Sequence, residues 1–376
     1  MIRQKLANIY HLGVKELWSL WRDPMMLFLI IYTFSIGIYT AATAMPETLN
    51  EAAIAIVDED QSPLSNRIVS AFYPPQFNPP QLINLNQVDP ALDAGLYTFA
   101  LNIPPNFQQE VLAGHHPQLQ LNVDATRMSQ AFTGSGYIQQ IVHAEVNEFV
   151  QGHRQETTLP VELTLRARFN PGLEEAWFGS LMEIINHVAM LSIILTGAAL
   201  IREREHGTVE HLLVMPVTAT EIMLAKVWSM GLVVLLAASA SLQFVVRDLL
   251  NVPIEGSVPL FLCGAALSLF ATTSMGIFMA TVAKSMPQFG LLMIMTLIPL
   301  QMLSGAMTPR ESMPEMVQNI MLLAPTTHLV QLGQAILFRG AGIEVVWSSF
   351  LWLLVIGCCF FFYSLKRFQV TIKTMA

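Results

Sequence analysis

"WFGSLMEIINHVAMLSIILTGAALIREREHGTVEHLLVMP" (177–216) runs from an apolar stretch straight into a dense polar patch. Residues 177–201 are long enough to cross a bilayer, whose hydrocarbon core takes about 20 apolar residues of helix. Arg202, Glu203, Arg204, Glu205 and His206 follow without a spacer, and Glu210 and His211 come soon after. A charged patch abutting an apolar run of that length predicts a membrane helix ending at an aqueous surface.

Five more runs of this kind lie on either side: 25–45, 227–246, 258–282, 288–304 and 345–365. The fifth span, 288–304, is the shortest and contains Pro299, so a broken or re-entrant continuation is expected at "QMLSGAMTP" (301–309). Composition agrees: 53% of the 376 residues are hydrophobic and only 12% are charged, against about 25% charged in soluble domains. Mean hydropathy is +0.50.

The net charge of −8 is unevenly placed. Residues 46–176 carry 15 acidic residues against 5 arginines and no lysine, a net of −10, which leaves +2 for the rest. An acidic middle between slightly basic apolar ends gives no support to nucleic-acid binding. With the N-terminus inside the cell, the inner loops and tails hold 11 of the 19 basic residues in short segments. The positive-inside rule therefore places both termini in the cytoplasm and 46–176 outside. The expected division is an amphipathic helix (1–24), the first span (25–45), an external domain (46–176), the second span (177–201), an inner loop (202–226), four further spans (227–365) with a re-entrant outer segment (305–344), and an inner tail (366–376).

No cleavable leader is expected, because the first apolar run starts too late and is too long for one. Residues 3–23 read instead as a helix lying in the membrane interface, with Tyr10, Val14, Leu17, Trp18 and Trp21 recurring at helical spacing. Asp23-Pro24 ends it and opens the first span, since proline fits a first helical turn. The external segment reads as α/β. "AAIAIVDED", "YTFALNIPP", "PQLQLNVDA" and "PVELTLRARF" have strand character, and "SPLSNRIVSAF", "NFQQEVLAG" and "SQAFTGSGYIQQIVHAEVNEFV" have helical character. Cys263, Cys358 and Cys359 all lie in apolar runs, so the domain holds no disulfide.

Several chemistries can be weighed on spacing. "HGTVEH" (206–211) carries one residue too many for the H-x-x-E-H zinc motif. His206 and His211, five apart, would sit about 140° from each other on a helix, so no metal site is expected. The sequence has no G-x-x-x-x-G-K-[ST] phosphate loop, so ATP hydrolysis by that route is not expected of this chain. Glu183 is the only charged residue in the six apolar runs, and His187 shares its helix face with Asn186 adjacent. An ionisable residue in a span is a functional hypothesis by default. Yet Glu183 is only about 9 Å below Trp177 at 1.5 Å per residue, so a structural pairing stands beside it. Glu183, Asn186 and His187, with Gln301 on the fifth span, are the candidates for a translocation path. Gly276 and Ala280, with Thr272, Thr273 and Ser274 nearby, read as a helix-packing surface on the fourth span.

The inner loop alternates helices and breakers. Gly207 stops the second span and Thr208 can cap a short helix over 209–215, with Glu210 in its first turn. Pro216 ends that helix, and Thr218 with Glu221 forms a capping box opening the third span. Leu212, Leu213 and Met215 are its apolar knobs. A short capped helix with apolar knobs suits docking against another protein, and packing beneath its own bundle is the competing reading.

"EREHGTVEHLLVMPVTATEIMLAKV" (203–227) resembles the hallmark loop of ABC-2 type permeases, with Glu203, Arg204, Glu205, Gly207, Thr208, Glu210, Leu212, Leu213, Pro216 and Lys226 in register. "LSGAMTPRESMPEMVQNIMLLAPTTH" (303–328) is similar to the family's segment before the last span, and "KELWSLWRDP" (15–24) to its amphipathic N-terminal helix. Glu183 and His187 have no place in that pattern. The resemblance implies a six-helix membrane bundle with an α/β periplasmic domain inserted between the first two spans. It implies the permease subunit of an ATP-driven exporter in the bacterial inner membrane. ATP and Mg would then sit on a separate ABC ATPase subunit, which seats the 209–215 coupling helix. The other implied partners are a second permease half, identical or fused to its ATPase, and a periplasmic adaptor of membrane-fusion type. The alternative is a membrane-anchored periplasmic binding or scaffold protein with no transport path of its own.

Overall fold

The computed structural model describes residues 2–43, 49, 51–126, 128–152, 168–170, 174–205 and 217–375. The chain divides into two compact units, Met1–Met45 with Ala167–Ala376, and Pro46–Arg166.

The first unit is helical. Among the described residues, six of its helices are long and apolar enough to cross a membrane: Pro24–Thr43, Ala176–Glu205, Ala219–Leu249, Val258–Val282, Met286–Leu303 and Ile343–Val370, spans 1 to 6. Most exceed the apolar run that announces them, because caps set helix ends and hydropathy does not. Thr218 caps span 3 by accepting from the Glu221 amide, and the Glu221 carboxylate accepts from the Thr218 amide. Span 3 therefore starts eight residues before the apolar run at 227 and carries Lys226 inside the helix. At the other end of the chain, Asp23 caps span 1 by accepting from the Met26 amide, with Pro24 in the first turn.

Spans 2 and 4 are the most buried of the six, at 78% and 67%, whereas span 5 is only 11% buried. Pro299 is accommodated within the helix of span 5, which ends at Leu303. The chain turns within 301–309, where the broken or re-entrant continuation is expected: Gly305 takes φ +98°, a value that favours glycine. The one-turn helix Arg310–Ser312 follows. Two further helices, Glu315–Met321 and Pro325–Phe338, then meet at a 92° bend. Span 4 packs on span 2 through small and hydroxylic residues. Ser192 donates to the Thr272 hydroxyl at 2.6 Å, and a Cβ at Gly276 would lie 2.8 Å from the Ile193 carbonyl oxygen. Ser364 of span 6 donates to the Ser274 carbonyl at 2.8 Å. Without a hydrophobic drive between helices in lipid, such close packing and hydrogen bonding hold a bundle together.

The second unit is built on a four-stranded sheet of order β2-β1-β3-β4, with β1 Ile54–Asp58, β2 Gln81–Leu82, β3 Phe99–Ile103 and β4 Gln120–Val123. β1 pairs in parallel with β2 and β3, and β3 pairs antiparallel with β4. Ile54, Ala55, Ile56 and Val57 are all buried because both faces of β1 are covered. Ile54 and Ile56 face a core with Phe77, Phe99 and Ile138, and Ala55 and Val57 face a smaller one with Val88 and Ala100. The helices expected at "SPLSNRIVSAF", "NFQQEVLAG" and in the 130s and 140s form at Pro63–Ser70, Phe107–Leu112 and Met128–Gln151. Among the described residues three elements were not legible: β2, the one-turn helix Leu85–Gln87 and the short helix Val88–Asp93. The strand expected at "PVELTLRARF" (160–169) lies outside the described residues, apart from Arg168 and Phe169.

Candidate functional site

The last turn of span 2 carries four consecutive ionisable side chains, and each binds a different element. Arg202 pairs with Asp23, the cap of span 1. Glu203 reaches Lys226 of span 3 at 2.7 Å and Lys15 of the N-terminal helix at 3.0 Å. Arg204 donates to the Ala283 carbonyl at 2.7 Å and the Ala280 carbonyl at 3.4 Å. These carbonyls belong to the end of span 4, where helical carbonyls lack partners and the helix dipole favours a cation. Glu205 accepts from the Met286 amide at 3.0 Å, at the start of span 5, where the dipole favours an anion. One helical turn thus ties together five other helices: the N-terminal helix and spans 1, 3, 4 and 5.

Lys226 is the centre of this arrangement. Its side chain is 2% exposed and lies between Glu203 at 2.7 Å and Glu16 at 3.1 Å. An ammonium removed from water needs charge partners close by, and two carboxylates supply them. The Glu16 carboxyl sits above its usual range, because burial and the neighbouring Glu203 raise it further than Lys226 and Lys15 lower it. At Asp23, burial pushes the carboxyl up, but the Met26 amide and Arg202 more than offset this and hold it below its usual range.

The N-terminal helix Ile2–Trp21 brings Glu16 to this site by lying on span 3. Its buried face is Gly13, Glu16 and Leu20. A Cβ at Gly13 would fall 2.1 Å from the Trp228 ring. That ring is pinned from two sides, since it stacks on Tyr10 at 6.2 Å and donates to the Ile9 carbonyl at 3.2 Å. The predicted stripe is the outward one: Tyr10, Trp18 and Trp21 remain exposed, as suits side chains facing a membrane interface. Gly13→Leu is expected to lift the helix off span 3, destabilising the unit by about 1–3 kcal/mol, the usual range for overpacking. Faster proteolysis of the N-terminal helix in the variant would show it.

Of the residues predicted for the inner loop, Glu203, Arg204 and Glu205 are all in this cluster. Gly207, Thr208, Glu210, Leu212, Leu213 and Pro216 lie outside the described residues, as do His206 and His211. Among the described residues no group of three His, Cys, Asp or Glu is arranged to hold a metal. Glu183, Asn186 and His187 are brought together on span 2. Asn186 donates to the Glu183 carboxylate at 3.4 Å, and His187 Nε2 lies 3.8 Å from it. The His187 ring meets Phe34 edge-on at 6.1 Å and lies against Gly37, in the π-helical turn Thr33–Gly37 of span 1. Gln301 is on span 5, and no hydrogen bond joins its side chain to this group among the described residues.

The sequence reading did not foresee the parts played by Lys15, Glu16, Asp23 and Arg202. On spacing alone Glu16 falls off the apolar stripe of the 3–23 helix, where a solvated face is expected. The available signal was Lys226, a single cation in the apolar context "EIMLAKVWSM", which requires a buried acid from elsewhere in the chain.

Residues 24–366 match the family of ABC-2 family transporter proteins. The chain is similar to the inner membrane transport permease YhhJ of Escherichia coli (strain K12), at 63% identity over 371 residues and 99% of each chain. It is also similar to the probable multidrug ABC transporter permease YbhR of the same organism, at 28% identity over 346 residues, 91% of this chain and 93% of that one. The probable multidrug ABC transporter permease YbhS shares 23% identity over 351 residues, 89% of each chain.

Proposed function

The chain belongs to the ABC-2 transporter family, and on that premise we propose that it is the permease subunit of an exporter driven by a separate ATPase. In this reading it is a multi-pass inner-membrane protein with both termini in the cytoplasm and residues 46–176 in the periplasm. ATP and its Mg are held by the ATPase subunit, which grips the segment 206–216 and the N-terminal helix. Glu210 orients that grip, and Leu212 and Leu213 supply its apolar contact. A second permease half completes the path, and the periplasmic domain hands cargo to an adaptor. Glu183, Asn186 and His187 contribute polar groups to the path.

The observation that carries this reading is the clasp at the end of span 2. The segment 206–216 leaves directly from Glu205, and the preceding four side chains hold Asp23, Lys15, Lys226, the end of span 4 and the start of span 5. Helices joined this way move as a body, so a push on the segment is transmitted to most of the bundle without deforming one helix against another.

The test compares wild type with Glu210→Lys and with Leu212→Asp/Leu213→Asp, each co-expressed with the ATPase subunit. Loss of ATPase co-purification and of ATP-dependent efflux, at unchanged membrane levels of the permease, is the expected outcome. Unchanged co-purification and efflux would overturn the reading and favour the membrane-anchored binding protein.

A further inference from the structure

The strongest feature outside the clasp is a cavity of about 370 Å3 beside the bent helix pair, bordered by the chain reversal at Gly305. Arg310 and Arg339 both line it, together with the amides Gln331 and Gln334. Among the described residues neither guanidinium has an ion-pair partner, although Glu311 also lines the cavity. Arg310 Nε is enclosed and lacks a hydrogen-bond acceptor among the described residues. An enclosed charged donor without an acceptor is costly, and a charge-assisted hydrogen bond to an anion is the contact that relieves it.

The rest of the wall is apolar and open. Phe178 is 41% exposed and stacks on Phe338 at 5.7 Å, while Met307 at the rim is 70% exposed. A lining that combines two guanidiniums with an exposed aromatic and a thioether matches an amphiphile with an anionic head. Guanidinium geometry suits phosphate oxygens in particular, and the volume falls within the range of small-molecule sites.

We propose that this cavity binds a phosphate-bearing anion, with Arg310 and Arg339 on the phosphate and Phe178 and Met307 against an acyl chain, as in an anionic phospholipid. The purified full-length chain is titrated with short-chain phosphatidylglycerol, with phosphatidylcholine of the same chain length, and with inorganic phosphate. Native mass spectrometry reads the bound fraction. Wild type should bind phosphatidylglycerol at least about tenfold more tightly than does Arg310→Gln/Arg339→Gln, and more tightly than phosphatidylcholine.

Inorganic phosphate that binds comparably, and is lost in the same variant, supports the anion site and assigns it to a soluble source. Equal affinity of wild type and variant for phosphatidylglycerol overturns the proposal, as does equal affinity of wild type for the two lipids. Arg339→Gln alone, at an exposed position, should weaken binding while leaving the thermal unfolding midpoint unchanged. Arg310→Lys/Arg339→Lys should retain the preference for phosphatidylglycerol. These two variants separate loss of the site from loss of the fold.

Discussion

Lys226→Met is expected to destabilise the helical unit by about 3–5 kcal/mol, the range found when one partner of a buried ion pair is removed. The methionine fills most of the lysine's volume, so the loss is electrostatic. Glu203 and Glu16 keep their positions but lose the cation 2.7 and 3.1 Å away. Glu203 then depends on Lys15, whose side chain is half exposed and screened by water. The measurement is the thermal unfolding midpoint of detergent-purified protein, with a large fall expected. Adding Glu203→Gln and Glu16→Gln to Lys226→Met should recover much of the loss, because a neutral buried cluster often matches an ionic one. A Lys226→Met protein as stable as wild type would show that the cluster contributes nothing to the fold.

Gly276→Leu is expected to prevent spans 2 and 4 from packing at all. A Cβ at this position would lie 2.8 Å from the Ile193 carbonyl oxygen and 3.1 Å from its Cα. Both atoms are backbone, so no rotamer change makes room, and the helices themselves must separate. Gly276→Ala already requires a small separation and strains the 2.6 Å hydrogen bond from Ser192 to Thr272, for a loss of about 1–3 kcal/mol. Leucine needs far more space and is expected to leave no folded protein in the membrane. Gly290→Ala on span 5 is the control, since an added Cβ there meets nothing within 4 Å. Pulse-chase degradation in cells distinguishes these variants: Gly276→Leu should be cleared rapidly, Gly276→Ala more slowly, and Gly290→Ala at the wild-type rate.

The spans were legible because lipid imposes a strong, local demand on composition, and a membrane-length helix lies at each of the six apolar runs. Their ends were legible only where a cap is written in the sequence, as at Asp23-Pro24 and Thr218–Glu221. The packing role of Gly276 was also readable, since small residues four apart on a membrane helix have few other uses. In the other unit, β1, β3 and β4 were legible by alternation and β-branched content, but the two residues of β2 are too few to form a pattern.

The clasp was less legible. The residue spacing of the last turn of span 2 says nothing about which distant groups will meet it. Glu16 lies 210 residues from its lysine in sequence, and the glycine that lets its helix approach, Gly13, looks like a breaker on propensity alone. Arg204 and Glu205 bind backbone groups at helix ends, and no side-chain motif at 280–286 announces those partners.

Whether an ATPase subunit takes hold of the segment leaving the clasp can be read by site-specific photo-cross-linking. A photo-reactive residue is placed at Leu212 in the full-length chain, and cells are irradiated before the adduct is identified by mass spectrometry. An adduct is expected with a protein that carries the G-x-x-x-x-G-K-[ST] phosphate loop absent from this chain. Adducts confined to lipid, to periplasmic proteins or to the permease itself would contradict it.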